Sequence, residues 1–219
     1  MSFRILSTKL LNVSQQHLLL NADIAFVHAN FIETVPVDFK TENHIENAIF
    51  TSKNAFKAVE NRNIQIKNVF CIGTKTAASA KNKNINVVAT ANNASELAEL
   101  ILKNYAVKKF VFFCGESRLA ILPDKLKENG IALNEVVVYS TKMIPKRFTG
   151  HYDGVLFYSP SGVESFLKLN SLNGTVAFCI GKTTAGAAEK YADEIITATV
   201  PSVENVLVQV IKYARAKKD

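Results

Sequence analysis

Cys71-Ile72-Gly73-Thr74-Lys75-Thr76-Ala77-Ala78-Ser79-Ala80-Lys81 returns 108 positions later as Cys179-Ile180-Gly181-Lys182-Thr183-Thr184-Ala185-Gly186-Ala187-Ala188-Glu189. Each copy is a short apolar run, a glycine, hydroxyl residues and an alanine-rich segment, the pattern of a strand that turns tightly into a helix. Glycine permits the sharp turn, and the threonines can cap the free N–H groups of the first helical turn. Such a turn presents backbone donors and the positive end of a helix dipole, so its natural guest is an anion.

The repeat extends outward from this turn. Phe50-Thr51-Ser52-Lys53-Asn54-Ala55-Phe56 matches Phe157-Tyr158-Ser159-Pro160-Ser161-Gly162-Val163, and Ser95-Glu96-Leu97 is echoed around Ser202-Val203-Glu204. The opening strand, Phe3 to Leu6, and the extended segment ending at Pro36 have counterparts in Phe110 to Phe113 and the segment ending at Pro145. Four matches in one order at a nearly constant offset imply two tandem copies of one α/β unit.

The 219 residues accommodate two domains of roughly 100 residues each. Apolar residues at 48% and charged residues at 21% give an ordinary globular balance, without a low-complexity segment. No apolar run approaches a membrane span, and Met1-Ser2-Phe3-Arg4 leads into a strand rather than a signal peptide, so the expected location is cytoplasmic. Cys71, Cys114 and Cys179 show no paired spacing and close apolar runs, as buried thiols in a reducing compartment do. His17, His28, His44 and His151 stand at no metal-ligand spacing, and no metal is expected. The net charge of +7 calls for an acidic partner. The lysines are dispersed and no aromatic-basic motif accompanies them, which favours a polyanionic small molecule over nucleic acid.

Strands alternating with helices imply parallel sheets covered on both faces, whose ligands bind at the carboxyl ends of the strands. Ser52, Gly73, Thr76, Gly115, Ser159, Gly181 and Thr184 all fall there. Matching turns on two domains suggest a ligand held in a cleft between them. Ser52 and Ser159 read as N-caps, each contributing about 1 kcal/mol, a role compatible with a hydrogen bond to an anion. Tyr139 ends an apolar strand, and Glu116 with Arg118 reads as a surface ion pair of little energetic weight. A phosphate loop at Gly181-Lys182-Thr183 fails because Val176 stands where its first glycine belongs. No Gly-x-Gly-x-x-Gly follows a strand, and Leu119 replaces the second glycine of a nucleophile elbow after Gly115. A dinucleotide cofactor and a covalent hydrolase are therefore not expected.

The ordered phrases Phe-Thr-Ser-x-Asn-Ala from Phe50, Ile-Gly-x-x-Thr-Ala from Ile72, Ser-Glu-Leu from Ser95, Gly-Glu-x-Arg from Gly115, Val-Tyr-x-Thr from Val138, Phe-x-Ser-Pro-Ser-Gly-Val from Phe157 and Ile-Gly-x-Thr-Thr-Ala from Ile180 resemble the uroporphyrinogen-III synthase family across nearly the whole chain. The resemblance implies two flavodoxin-like α/β domains joined by a two-stranded linker. One would be discontinuous, residues 1–35 with 146–219, and the other would span 38–139, with linkers at about 36–37 and 140–145. It also implies a monomer without a cofactor that dehydrates and cyclises hydroxymethylbilane, a linear tetrapyrrole with eight carboxylates, inverting its last ring to give uroporphyrinogen III.

Carried over by position, the family's tyrosine falls on Tyr139, which would assist departure of the hydroxyl. Its substrate-binding positions fall on Thr8, Lys9, Ser52, Gly73, Thr76, Gly115, Glu116, Ser159, Ser161, Gly181, Thr183 and Thr184. Lys9 stands where the family commonly has arginine, keeping the charge without the planar fork. A non-catalytic binder of a polyanionic metabolite is the competing reading; it would keep the anion turns and dispense with Tyr139.

Overall fold

A computed structural model describes residues 2–106 and 108–217. Unit 1 holds the residues up to Glu33 and those from Lys142 onward, and unit 2 holds Thr34–Thr141. The chain thus passes between units at 33/34 and at 141/142.

Unit 1 begins with β1 (Arg4–Ser7), α1 (Val13–Leu20) and β2 (Ala25–His28), and the chain leaves through β3 (Ile32–Pro36). Unit 2 follows with β4 (His44–Phe50), α2 (Lys53–Val59), β5 (Gln65–Ile72), α3 (Thr74–Lys81), β6 (Asn86–Ala91), α4 (Ala94–Tyr105), β7 (Lys109–Gly115), α5 (Ile121–Glu128) and β8 (Ala132–Met143). The return to unit 1 adds β9 (Gly154–Phe157), α6 (Pro160–Leu167), β10 (Val176–Cys179), α7 (Lys182–Ala188), β11 (Glu194–Thr197) and α8 (Val203–Ala216). No helix among the described residues is long and apolar enough to cross a membrane.

The two sheets share one strand order. Unit 1 reads β2-β1-β9-β10-β11, and unit 2 reads β8-β7-β4-β5-β6 with β3 outside β8. All recorded pairs within β1–β2 and β9–β11, and within β4–β8, are parallel. Each sheet takes its first two strands from one half of the chain and its last three from the other, giving the flavodoxin-like order twice. Val37 N–H donates to Val138 O at 3.2 Å and Ile144 N–H to Phe31 O at 2.9 Å, so the two crossing strands run antiparallel. This pairing extends β8 to Met143, beyond the apolar run that ends near Tyr139.

Helices on both faces explain why the strands are apolar without alternation. In unit 1, Ile5, Leu156 and Phe178 face α1 and α8, whereas Leu6, Val155 and Ala177 face α6 and α7. In unit 2, Phe50, Val69 and Phe113 pack with α2 and α3, and Ile49, Phe70 and Phe112 with α4 and α5. Phe50 stacks on Phe113 at 5.2 Å and meets Phe56 edge-on at 5.2 Å. Cys71, Cys114 and Cys179 are buried and free. Burial pushes the Cys179 thiol to about 12 and raises Cys71 and Cys114, so these side chains act as small core hydrophobes.

Arg118 pairs with Glu135 of β8, not with Glu116, and Lys127 reaches the same carboxylate. Burial works to raise the Glu135 carboxyl, but the hydrogen bonds from Arg118 and Lys127 outweigh it and hold the group below its ordinary range. The stability this contributes is complete above the unfolded carboxyl value of about 4.3 and is lost as pH falls through the lower folded value. Glu135→Gln should cost about 1–2 kcal/mol near neutrality and much less at pH 3, as read by urea unfolding at the two pH values.

Candidate functional site

Because the strands are parallel, the candidate residues gather at one edge of each sheet. The register pairs Phe50 with both Cys71 and Phe113, and Gly115 with Tyr139, which sets the turns after β4, β5 and β7 beside Tyr139 in unit 2. Ser7 pairs with Leu156, and Phe157 with Cys179, which does the same for the turns after β1, β9 and β10 in unit 1.

The turns divide into two chemical kinds. Ser52 Oγ accepts the Asn54 N–H, and Ser159 Oγ accepts the Gly162 N–H, each at 3.1 Å, so both serines are N-caps. Ser161 Oγ lies 3.1 Å from Ser159 Oγ. At the repeated turn the caps are Gly73 and Gly181, and neither α3 nor α7 has a side-chain cap. The threonines therefore do not cap these helices. Thr76 and Thr184 occupy the third position of their helices, 4% and 3% exposed, while Thr183 is exposed. Thr76 N–H donates to Gly73 O and Thr184 N–H to Gly181 O, both at 3.1 Å, leaving the two preceding N–H groups of each turn open. Gly73, at φ +81°, needs glycine; Gly181 is extended at φ −175°, a conformation open to any residue.

Charge cuts across that division and separates the candidate turns from the others. Helices α1, α2, α3, α6 and α7, which follow five of the candidate turns, carry no acid in their first turn. Helices α4 and α8, which follow none, carry Glu96 and Glu204. The exception is α5, with Asp124 after the Gly115-Glu116 turn. Glu116 is exposed, and its N–H is already spent on Tyr139 O at 3.0 Å, so that turn is a poor seat for a carboxylate.

Tyr139 owes its position to a register shift. Cys114 pairs with Val137 and Gly115 with Tyr139, which inserts Val138 as an extra residue. Val136, Val138 and Tyr139 consequently all meet the core beneath α2 and α3, where simple alternation would send Tyr139 to the opposite face. The ring lies over Gly115: a Cβ there would sit 2.5 Å from Tyr139 Cζ and 2.8 Å from its hydroxyl oxygen. Among the described residues nothing hydrogen-bonds that hydroxyl.

In unit 1, Thr8 Oγ1 is committed to Leu156 O at 2.7 Å and is buried, so Thr8 shapes the turn. Lys9 is exposed, and its carbonyl accepts from Ser7 Oγ at 2.6 Å. Ser7 Oγ also lies 3.2 Å from Tyr158 Oη. With the Ser7 proton on Lys9 O, the phenol donates to Ser7. Neither Ser7 nor Tyr158 stood out in the sequence; the one signal was tyrosine at 158 where the other repeat has Thr51. Burial pushes the Tyr158 phenol above its ordinary value, a neutral donor that holds the Lys9 turn.

The family model described as Uroporphyrinogen-III synthase HemD matches residues 16–207. The chain is 27% identical to uroporphyrinogen-III synthase of Saccharomyces cerevisiae, over 86% of this chain and 82% of that one. Its fold is similar to uroporphyrinogen-III synthetase of Helicobacter pylori, with TM-score 0.70 and 20% identity over 96% of this chain and 99% of that one. It is also similar to a mutant synthase of Thermus thermophilus, with TM-score 0.63 and 13% identity over 99% and 100%.

The fit of Tyr139 over Gly115 can be tested by itself. Gly115→Ala should cost about 1–3 kcal/mol by overpacking, and under 0.5 kcal/mol in a Tyr139→Ala background, as read by urea unfolding of the three variants. Equal costs in both backgrounds would show that the ring is not what Gly115 accommodates.

Proposed function

Because the chain belongs to the uroporphyrinogen-III synthase HemD family, we propose that its strand-end turns hold hydroxymethylbilane while it is dehydrated and closed to uroporphyrinogen III with inversion of the last ring. The activity is that of a cyclising lyase of haem biosynthesis. The family match over residues 16–207 carries the reaction, and the Tyr139 hydroxyl over Gly115, which has no partner among the described residues, carries the site.

The electron-rich pyrrole drives the terminal C–O bond to break, so the protein need only protonate the departing hydroxyl. Tyr139 is suited to that: a phenol with no partner among the described residues has its proton free to give. The azafulvene is then attacked by the substituted carbon of the last ring, and the spiro intermediate fragments and recloses. The proton lost at the final closure balances the one lent to the leaving water, so the net change is loss of water with no redox partner. Unassisted closure occurs without inversion, so the larger task is positioning.

Positioning falls to the turns. The open N–H groups after Gly73 and Gly181, with the hydroxyls of Thr76, Thr183 and Thr184, take acetate and propionate groups; Ser52, Ser159 and Ser161 add hydroxyls beside them. Lys9, held through Ser7 and Tyr158, brings charge, and Thr8 fixes its turn. The Gly115-Glu116 turn is the acidic member of the set, and the Glu116 carboxylate suits a pyrrole N–H. The substrate is thus a polycarboxylate small molecule, with no nucleic acid or membrane involved, and the protein acts as a cytoplasmic monomer; three buried free thiols agree with a reducing compartment.

Supplying the protein with fresh hydroxymethylbilane and separating the oxidised type I and type III isomers tests the reading. Excess type III is expected, and type I alone from a protein that still binds product would make it a non-catalytic binder. Tyr139→Phe should lower kcat by about 10- to 100-fold, leaving measurable type III product; undiminished activity would remove Tyr139 from the mechanism. A Cβ at Gly181 meets nothing within 4 Å, so Gly181→Ala should cost no more than about 1 kcal/mol by urea unfolding, the loss of a tolerated cap, and raise KM, because the substrate would meet the added methyl.

A further inference from the structure

Three lysines stand where helix electrostatics disfavours them. Lys53 is the first residue of α2, Lys75 the second of α3 and Lys182 the first of α7, each at the positive end of its dipole. All three are exposed, and none meets an acid in the ion pairs of the described residues. No first-turn carboxylate offsets any of them. A protein that sets cations against its own helix dipoles loses a little stability, and such conflicts mark functional positions.

At α3 a second observation points to a ligand. Thr76 is 4% exposed, yet no described residue bonds its hydroxyl. Thr41 Oγ1 is the one described side-chain polar atom that is both enclosed and unpaired, so the Thr76 hydroxyl keeps an opening. Side chains in a helix lean toward its N-terminus, which aims Thr76 at the Gly73 turn, beside the open N–H groups of Thr74 and Lys75. Nothing lies within 4 Å of where a Cβ on Gly73 would stand, so the turn has room for a guest.

We propose that Lys75 is a substrate-binding residue, gripping one carboxylate of the tetrapyrrole together with the Thr74 and Lys75 N–H groups and the Thr76 hydroxyl. This rests on the synthase reading and names the side chain that gives unit 2 its charge selectivity. Neutral donors alone would accept any polar group; the ammonium restricts the guest to an anion.

Lys81 supplies the internal control. It lies in the last turn of the same helix, where a cation is favoured, and is also exposed. Lys75→Gln should raise KM for hydroxymethylbilane about three- to tenfold with kcat within about twofold, flatten the rise of KM with salt, and raise Tm by about 1–3 °C. Lys81→Gln should leave KM unchanged and lower Tm slightly. The proposal is overturned if Lys75→Gln keeps the wild-type KM and salt dependence, or if Lys81→Gln raises KM equally. Wild-type protein that yields only the type I isomer overturns the synthase reading instead, and the two failures are distinct.

Discussion

The pairing of β1 with β9, Ile5 against Gly154, is the constraint on which the rest depends. It joins segments about 150 residues apart and completes a sheet that neither end of the chain could form alone. Gly154 is itself demanded by the fit, since a Cβ there would stand 2.6 Å from the Phe178 ring. With this pair made, Ser7, Thr8 and Lys9 arrive beside Tyr158 and Ser159, and the unit 1 turns become one edge. The exchange of strand pairs between the halves of the chain gives unit 2 the same strand order from the opposite halves.

On that shared architecture the turns have diverged in how they satisfy their backbone. At Ser52 and Ser159 a side chain occupies a donor of the first turn, which stabilises the helix and leaves less for a guest. At Gly73 and Gly181 the donors stay open, at some cost in local stability. Tyr139 has a further asymmetry: its place in the other repeat falls near Phe31, which is fully buried, with its carbonyl bonded by Ser165 and Ile144. One repeat has made this position a structural anchor, and the other presents a phenol there.

Much of this was legible in the sequence because it is local. The strand-turn-helix phrases, the caps at Ser52 and Ser159 and the buried cysteines all follow from near neighbours and side-chain period. The strand exchange was not local, since a repeat is equally satisfied when each copy folds on itself; it came only with the family resemblance. The bulge at Val138 was hidden because an apolar Val-Val-Val-Tyr run carries no mark of an inserted residue. Arg118 chose Glu135 over Glu116 through a neighbouring strand, and Ser7 meets Tyr158 across 151 positions. The threonine caps failed for a simpler reason: the glycines themselves occupy the cap positions, so the threonines sit inside the helices.

The strand exchange also bears on how the chain is made. Unit 2 is continuous, and its strands are all available once residue 141 has left the ribosome. The first β-α-β segment of unit 1 is synthesised before unit 2 and completed after it, for its partners β9 to β11 follow residue 142. During synthesis it exposes the flanks of β1, with Ile5 and Leu6 uncovered, for as long as translation of the intervening residues takes, seconds at about 5–20 residues per second. Until β9 is made, Ile5 and Leu6 therefore present apolar surface that has no partner within their own β-α-β segment.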